Sequence, residues 1–494
     1  MKLQRAGNWL EQMLRGPEAR LVFGILAIAF LLRAVVLPLP GFKHADEVWQ
    51  YLEPAYYLAF DRWIIAWEYR DGIRTWLIPI LLALPMKLGG AIAPDSGLHL
   101  LLTKLLLVLL SLSIVACSTA LGLRISRLHG LMAGFVTAIW AELVYYGPRA
   151  MSEPVSLALF FPAALLLTMP REKRTARLYL LAGFLLGLCF CARFQFAPAL
   201  AVLALWTCGA RWRAWGWLVL GGLLGLGLDA LVDLAVGEHP PLRWIYENFR
   251  VNLIENKSAS YGVEPWYWYL AQIANYWRLA LLAILPLMVL GARRYPVLMA
   301  VAVVNLLAHS AIPHKEDRFV LLSTGLMVFL AAIGGIDLLR RLTMGDTQRL
   351  HRFTAWACGF WALCSLMVAF AGPLRLQWKN GQSIPRTLQL AGEAPGACGL
   401  ALYRPTHPLS AAHVFYNRNT PVYLFNPGDE ATAVEYRPAF NLVMAMRGKP
   451  VPGAEYQLLG CPDKSHCIYQ RAGSCQGVVP SKYELNTALT SLGM

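Results

Sequence analysis

The sequence predicts a polytopic α-helical membrane protein of about eleven spans, ending in a small α/β domain outside the bilayer. Three observations predict it. First, 57% of the 494 residues are apolar and 15% are charged, with a mean hydropathy of +0.47. A soluble domain carries roughly 25% charged residues, so there is too little charge here to coat soluble domains. Second, apolar runs recur at about the length a spanning helix needs, ~20 residues. Third, the 44 Lys and Arg against 29 Asp and Glu, net +15, gather between those runs. In a membrane protein such an excess marks cytoplasmic loops, not a nucleic-acid partner.

The runs are 20–39, 98–122, 128–147, 153–169, 178–192, 196–209, 214–235, 269–292, 296–312, 319–339 and 353–372. The first run lies behind basic residues and ends in Pro38-Leu39-Pro40, without the small-residue site of a cleavable signal peptide. The orientation comes from the basic clusters Lys2/Arg5/Arg15/Arg20, Arg124/Arg127, Arg171–Arg177, Arg211/Arg213, Arg293/Arg294 and Arg340–Arg352. They share one side only if the apolar stretch 75–93 does not cross, and Pro79 and Pro85 within it favour a broken element. The N-terminus is then cytoplasmic and the C-terminus exterior. Segments 41–74, 147–153, 237–268 and 313–318 face outward, so any chemistry is sought there.

Residues 1–372 are read as the membrane module, with 41–97 as its first exterior loop, and 373–494 as the exterior domain. The tail alternates apolar and polar residues at 398–403, 421–425 and 441–446, the pattern of short strands, and 408–417 reads as a helix. Its cysteines, Cys398, Cys461, Cys467 and Cys475, allow three disulfide pairings in an oxidising compartment.

Six of the 29 acids lie in residues 41–76. The pair Asp46-Glu47 falls at the membrane surface, where a carboxylate can act as general base toward a hydroxyl if a neighbour aims it and keeps it ionised. His44 and Gln50 are placed to do so. An interfacial helix with solvated acids would carry the same residues.

The second cluster, His314-Lys315-Glu316-Asp317-Arg318-Phe319, interrupts an apolar stretch. Lys315 and Arg318 are three apart, so on a helix both reach one phosphate, Arg as a fork and Lys as a point charge. An ordinary loop would instead pair them with Glu316 and Asp317. Lesser candidates are Arg149 with Glu153, Arg193 with Gln195 inside an apolar stretch, Asp229 with Asp233, and the aromatic run around Tyr261, Trp266 and Trp268, suited to stacking on sugars or lying at an interface.

In this order the motifs resemble glycosyltransferase family 22, the mannosyltransferases of N-glycan precursor and GPI-anchor assembly with the GT-C membrane fold. His44-Ala45-Asp46-Glu47 is similar to the family's His-Pro-Asp-Glu signature, with alanine in place of proline. His314–Phe319 matches its His-Lys-Glu-(Glu/Asp)-Arg-Phe motif. Tyr261–Tyr269 resembles its Tyr-Gly-x-x-Pro-Trp-x-Trp-Tyr segment, and Arg149–Glu153 its Arg-x-x-Ser-Glu segment. The resemblance spans residues 44–319.

It implies transfer of mannose, with inversion, from a polyprenyl-phosphate-mannose donor to a lipid-linked glycan or glycolipid acceptor, without metal or cofactor. Asp46 would be the base and Glu47 its support. Lys315, Arg318 and His314 would hold the donor phosphate. His44, Gln50, Arg149, Glu153, Tyr261, Trp266, Trp268 and Glu316 would line the substrate path. The expected setting is a bacterial inner membrane with the site on the periplasmic face, or the lumenal face of the endoplasmic reticulum. A GT-C enzyme for another polyprenyl-phosphate sugar is the near alternative. A transporter would show repeats and midplane polar sites, and a scaffold would leave Asp46 and Arg318 without a role.

Overall fold

The computed structural model describes residues 16, 18–39, 41–94, 96–378, 380–405, 412–462 and 465–493. Lys2, Arg5 and Arg15 of the basic tail, and residues 408–411 of the expected tail helix, lie outside the described residues. The chain forms two compact units. One is residues 1–37, 75–77 and 105–376; the other is 38–74, 78–104 and 377–494. Residues 38–74 and 78–104 thus share a unit with 377–494.

In the first unit, Leu98–Leu123 (from residue 105 on), Trp212–Val236, Asp317–Leu342 and Thr347–Phe370 are each long and apolar enough to cross a membrane. The chain is a multi-pass membrane protein. Ser152–Leu167, Ala176–Ala192 and Pro296–Ser310 are shorter apolar helices, as is Leu77–Ile92, the segment expected not to cross. The run 269–292, expected as one crossing, is two helices, Trp268–Trp277 and Ala280–Ala292, bent by 112°. The break falls at Arg278, whose φ of +46° no helix accommodates. The run 178–209 likewise divides, into Ala176–Ala192 and Ala197–Cys208.

Helix Leu321–Leu342 is the axis of this unit, buried on nearly every face as far as Asp337. Without water to drive association, membrane helices close on small residues. Ala176–Ala192 runs parallel to Trp212–Val236 on such contacts. A methyl group on Gly183 would lie 2.0 Å from the Leu218 carbonyl oxygen, and one on Gly221 2.0 Å from that of Leu180. Ala280–Ala292 packs parallel to Leu321–Leu342 in the same way, through Gly291 and Gly334, with Arg294 bonding Asp337 where both helices end.

The run 128–147 is interrupted at Trp140 (ψ 122°), between helices Arg127–Ile139 and Ala141–Tyr146. The break frees carbonyls that no water can satisfy in the bilayer. Fully buried Arg33 takes them, donating to Ala138 (3.0 Å) and Thr137 (3.4 Å) as well as to Ala29 in its own helix (3.1 Å).

The second unit carries a five-stranded sheet in the order β2-β1-β3-β5-β4. Its strands are β1 (Leu400–Tyr403), β2 (Val422–Phe425), β3 (Leu442–Met446), β4 (Gln457–Gly460) and β5 (His466–Gln470). β1 is parallel to β2 and β3, whereas β5 is antiparallel to β3 and β4. The first three strands fall where alternation predicted them. β4 and β5 were missed, because β4 is an exposed edge and its apolar signal is weak. The helix expected over 408–417 is seen as His413–Tyr416. Of the three disulfide pairings, the structure has Cys398–Cys475 and Cys461–Cys467, the latter clipping the β4–β5 hairpin.

Glycine contacts this close leave no room for a side chain. Gly334→Ala should lower the thermal midpoint of the detergent-solubilised protein, at a cost of about 1–3 kcal/mol from overpacking. Gly227→Ala, where nothing lies within 4 Å, should leave it unchanged; equal midpoints in both variants would refute the close-packing account. Cys398→Ser together with Cys475→Ser opens a crosslink between residues 77 apart and should cost about 2–5 kcal/mol. The readout is protease resistance of the tail under oxidising conditions, and unchanged resistance would count against the pairing.

Candidate active site

The acidic cluster around Asp46 belongs to the second unit. Asp46 starts a π-helical turn, Glu47–Leu52, that runs into helix Glu53–Phe60. The wide turn has a local cause. Pro54 has no N–H to offer Gln50, four residues earlier, so the Gln50 carbonyl accepts the Tyr69 hydroxyl instead (2.6 Å). The Gln50 amide donates to Glu68 (2.9 Å). Gln50, expected to aim the Asp46-Glu47 pair, is thus seen aiming a third carboxylate.

Glu68 and Arg74 are the two members of this cluster that sequence reasoning did not single out. The only signal for Glu68 was its place among the six loop acids. Burial raises the Glu68 carboxyl, Arg74 pulls it back and Asp46 pushes it up again. Burial lowers the Arg74 guanidinium, but Tyr51, Glu68 and Asp46 outweigh that and raise it. Asp46 is half-buried, while Glu47 and His44 are buried beside it in sequence. Two carboxylates and one guanidinium therefore share a field in residues 46–74.

Next to this cluster, Glu53 is fully buried and ties the loop to the tail domain. Its oxygens accept the Val414 N–H (2.8 Å) and the Ile64 N–H (3.0 Å). Burial pushes its carboxyl up to about 8, against the pull of those backbone donors.

The His314–Phe319 cluster belongs to the first unit. Lys315 precedes the 3-10 turn Asp317–Val320 instead of sharing a helix face with Arg318, which corrects the expected geometry. Its ammonium is buried against main-chain oxygens, donating to Glu264 (3.0 Å), Ile312 and Pro313 (3.5 Å). Burial lowers its pKa, partly offset by Glu264.

Arg318 is buried too, and forks onto Glu316 with Nε at 2.9 Å and Nη2 at 3.1 Å. Its third nitrogen reaches Glu153 at 3.5 Å. Arg193 approaches the same Glu153 oxygen at 2.8 Å, bonds Ser152 at 3.1 Å, and lies over the Phe319 ring. The structure thus brings Glu153, Arg193, Glu316 and Arg318 together. Glu153, expected beside Arg149, is taken by Arg193 and Arg318, while Arg149 lies over the Tyr145 ring. Asp317 accepts from Tyr276 and from the Arg318 amide, not from Lys315.

His314 joins two motifs of the first unit. Its Nδ1 meets the Gly262 carbonyl (3.2 Å), its Nε2 meets Glu316 (3.4 Å), and the Glu264 N–H donates to Pro313 (3.0 Å). The Glu316 contact raises the His314 pKa. Strapped on in this way, the loop leaves Tyr261 and Trp266 exposed and Trp268 half-buried. Asp229 and Asp233 are structural: Asp229 accepts from Trp244 (2.8 Å) and Thr75, and Asp233 from the Leu242 N–H (3.0 Å).

This architecture is that of a GT-C membrane protein. The structure superimposes on ArnT from Cupriavidus metallidurans bound to undecaprenyl phosphate with a TM-score of 0.59, covering 92% of this chain and 99% of that one, at 12% identity. Residues 23–376 match the Alg9-like mannosyltransferase family, and the chain belongs to that family. Among its relatives, the GPI mannosyltransferase 3 of Drosophila melanogaster is 27% identical over 376 residues, 73% of this chain and 64% of that protein. The GPI alpha-1,2-mannosyltransferase 3 of Xenopus laevis is 25% identical over 299 residues, 56% and 52%. The alpha-1,2-mannosyltransferase alg9 of Schizosaccharomyces pombe is 26% identical over 349 residues, 63% and 58%. The chain spans between about half and two thirds of the length of these relatives.

The buried Glu53 predicts a pH dependence. Because its folded pKa, about 8, lies above the ordinary value of 4.5, the folded chain keeps a proton that the unfolded chain releases. Its contribution is complete below pH 4.5 and is lost as pH rises through about 8. The thermal midpoint in detergent should fall across that window, with a slope of at most ~1.4 kcal/mol per pH unit. Glu53→Gln should flatten the fall; an unchanged slope would assign it to other groups.

Proposed function

We propose that the protein is a membrane mannosyltransferase that moves mannose from a polyprenyl-phosphate-mannose to a lipid-linked acceptor, with inversion. Membership of the Alg9-like family carries the reading. The acceptor hydroxyl attacks the anomeric carbon while Asp46 takes its proton. The bond to the lipid phosphate breaks with its electron pair on the phosphate. In this scheme Arg74 and Glu68, the latter fixed by Gln50, shape the electrostatic field around Asp46. Glu47 and His44 border the acceptor hydroxyls.

The phosphate side divides into two roles. Lys315, held by carbonyl oxygens with no carboxylate bonded to its ammonium, supplies the positive charge, with His314 beside it. Arg318, its fork filled by Glu316 and Glu153, positions the motif. Tyr261, Trp266 and Trp268 offer ring faces to the sugar or lipid, and Arg149 closes the path. The setting is a bacterial inner membrane with the chemistry on the periplasmic face, or equivalently the lumenal face of the endoplasmic reticulum.

Asp46→Asn should reduce transfer of labelled mannose from polyprenyl-phosphate-mannose by about 10²–10⁴-fold, the usual worth of a general base, in a protein that keeps its thermal midpoint. Transfer at the parental rate would end the assignment. Lys315→Ala should raise the KM for the donor by about tenfold or more, the loss of a charge-assisted contact, and leave the acceptor KM in place. If the donor KM does not move, Lys315 is not a phosphate ligand.

A further inference from the structure

The opposite ends of the helices that carry Glu153 and Arg193 hold a second set of cations, which the proposed reaction does not use. Helix Ser152–Leu167 ends there, Ala197–Cys208 ends there, and Ala176–Ala192 and Trp212–Val236 begin there. Arg174 donates to the Met169 carbonyl (2.7 Å) and the Thr207 carbonyl (3.1 Å). Arg211 donates to the same Thr207 carbonyl and to Cys208 (3.2 Å). Two guanidiniums thus converge on one carbonyl oxygen.

Arg124, bonded to Leu165 (2.8 Å) and Thr168 (3.2 Å), lies within electrostatic reach of Arg174. Among the described residues, neither Arg174 nor Arg211 makes an ion pair with a carboxylate. Like charges so placed repel each other unless an anion joins them.

A second observation points to a ligand. The Tyr179 hydroxyl and the Thr207 hydroxyl are buried at this spot, on side chains 5% and 1% exposed, and neither has a hydrogen-bond partner among the described residues. Arg211 sits over the Tyr179 ring, 6.0 Å from its centre. A buried polar group without a partner is costly, and a phosphate oxygen would satisfy both hydroxyls while neutralising the arginines. Around the cluster Trp206 and Trp212 are exposed, 56% and 74%, with Leu205 at 60%, the aromatic and apolar rim of a membrane-water boundary.

The geometry points to a binding site for the phosphate headgroup of an anionic membrane lipid, formed by Arg174, Arg211, Tyr179 and Thr207 with Arg124 behind them. The exposed tryptophans favour a lipid over a free ion, because they place the cluster at headgroup level. The site lies at the far ends of the helices from the His314–Phe319 motif, so it anchors the membrane module and does not handle substrate.

Native mass spectrometry of the full-length protein in detergent, offered equal phosphatidylglycerol and phosphatidylcholine, tests this. The parental protein should retain phosphatidylglycerol at least about tenfold over phosphatidylcholine, and Arg174→Gln with Arg211→Gln should bring the ratio near one. If that pair does not fold, Tyr179→Phe with Thr207→Val, which keeps both charges, should still lower the ratio severalfold. Equal retention of both lipids by the parental protein would overturn the proposal, as would undiminished selectivity in the variants. Displacement of the lipid by millimolar inorganic phosphate would assign the site to a free anion instead and overturn it as a lipid site.

Discussion

Glu153 is a fully buried carboxylate, and its charge organises the helix ends around it in the membrane module. Burying an ion costs several kcal/mol unless it is paired, so two guanidiniums must come to it. Arg193 comes from the link between helices Ala176–Ala192 and Ala197–Cys208, and Arg318 from the turn before the central helix. Arg318 then holds Glu316, and Glu316 meets His314, which is bonded to the loop bearing Tyr261. One buried charge thereby fixes the relative positions of three chain segments far apart in sequence.

In the proposed scheme that constraint separates the roles within the His314–Phe319 motif. A guanidinium filled by two carboxylates is a poor phosphate ligand but a rigid brace. The Lys315 ammonium gives its three N–H groups to carbonyl oxygens, so no carboxylate among the described residues neutralises its charge. The same logic runs through residues 46–74, where Tyr69 is committed to Gln50 and Gln50 to Glu68. The committed side chains hold the geometry there, leaving Asp46 in the common field of Glu68 and Arg74.

Much of the architecture was legible in the sequence. Apolar runs of bilayer length mark the spanning helices because an alternative exposes backbone to hydrocarbon. Alternation marks β1, β2 and β3. The motifs around Asp46, Glu153, Trp266 and Lys315 were found by residue type and order. The bend at Arg278 and the break at Trp140 were not legible: both sit inside continuous apolar runs, and hydropathy does not register a φ or ψ value. Glu68 and Arg74 escaped notice because an acid and a base 20 to 30 residues from Asp46 carry no local signature.

The sequence by itself determined that this chain lives in a membrane, which family it resembles and which residue types its chemistry would draw on, since composition and motif order depend on neighbours along the chain. The tertiary structure alone decided the partners. It gave Glu153 to Arg193 and Arg318, joined the loop 38–74 to the tail through Glu53, chose one disulfide pairing of three, and brought Arg174 and Arg211 to one carbonyl. Pairing energies act through space between groups tens to hundreds of residues apart, and a linear pattern holds no record of those distances.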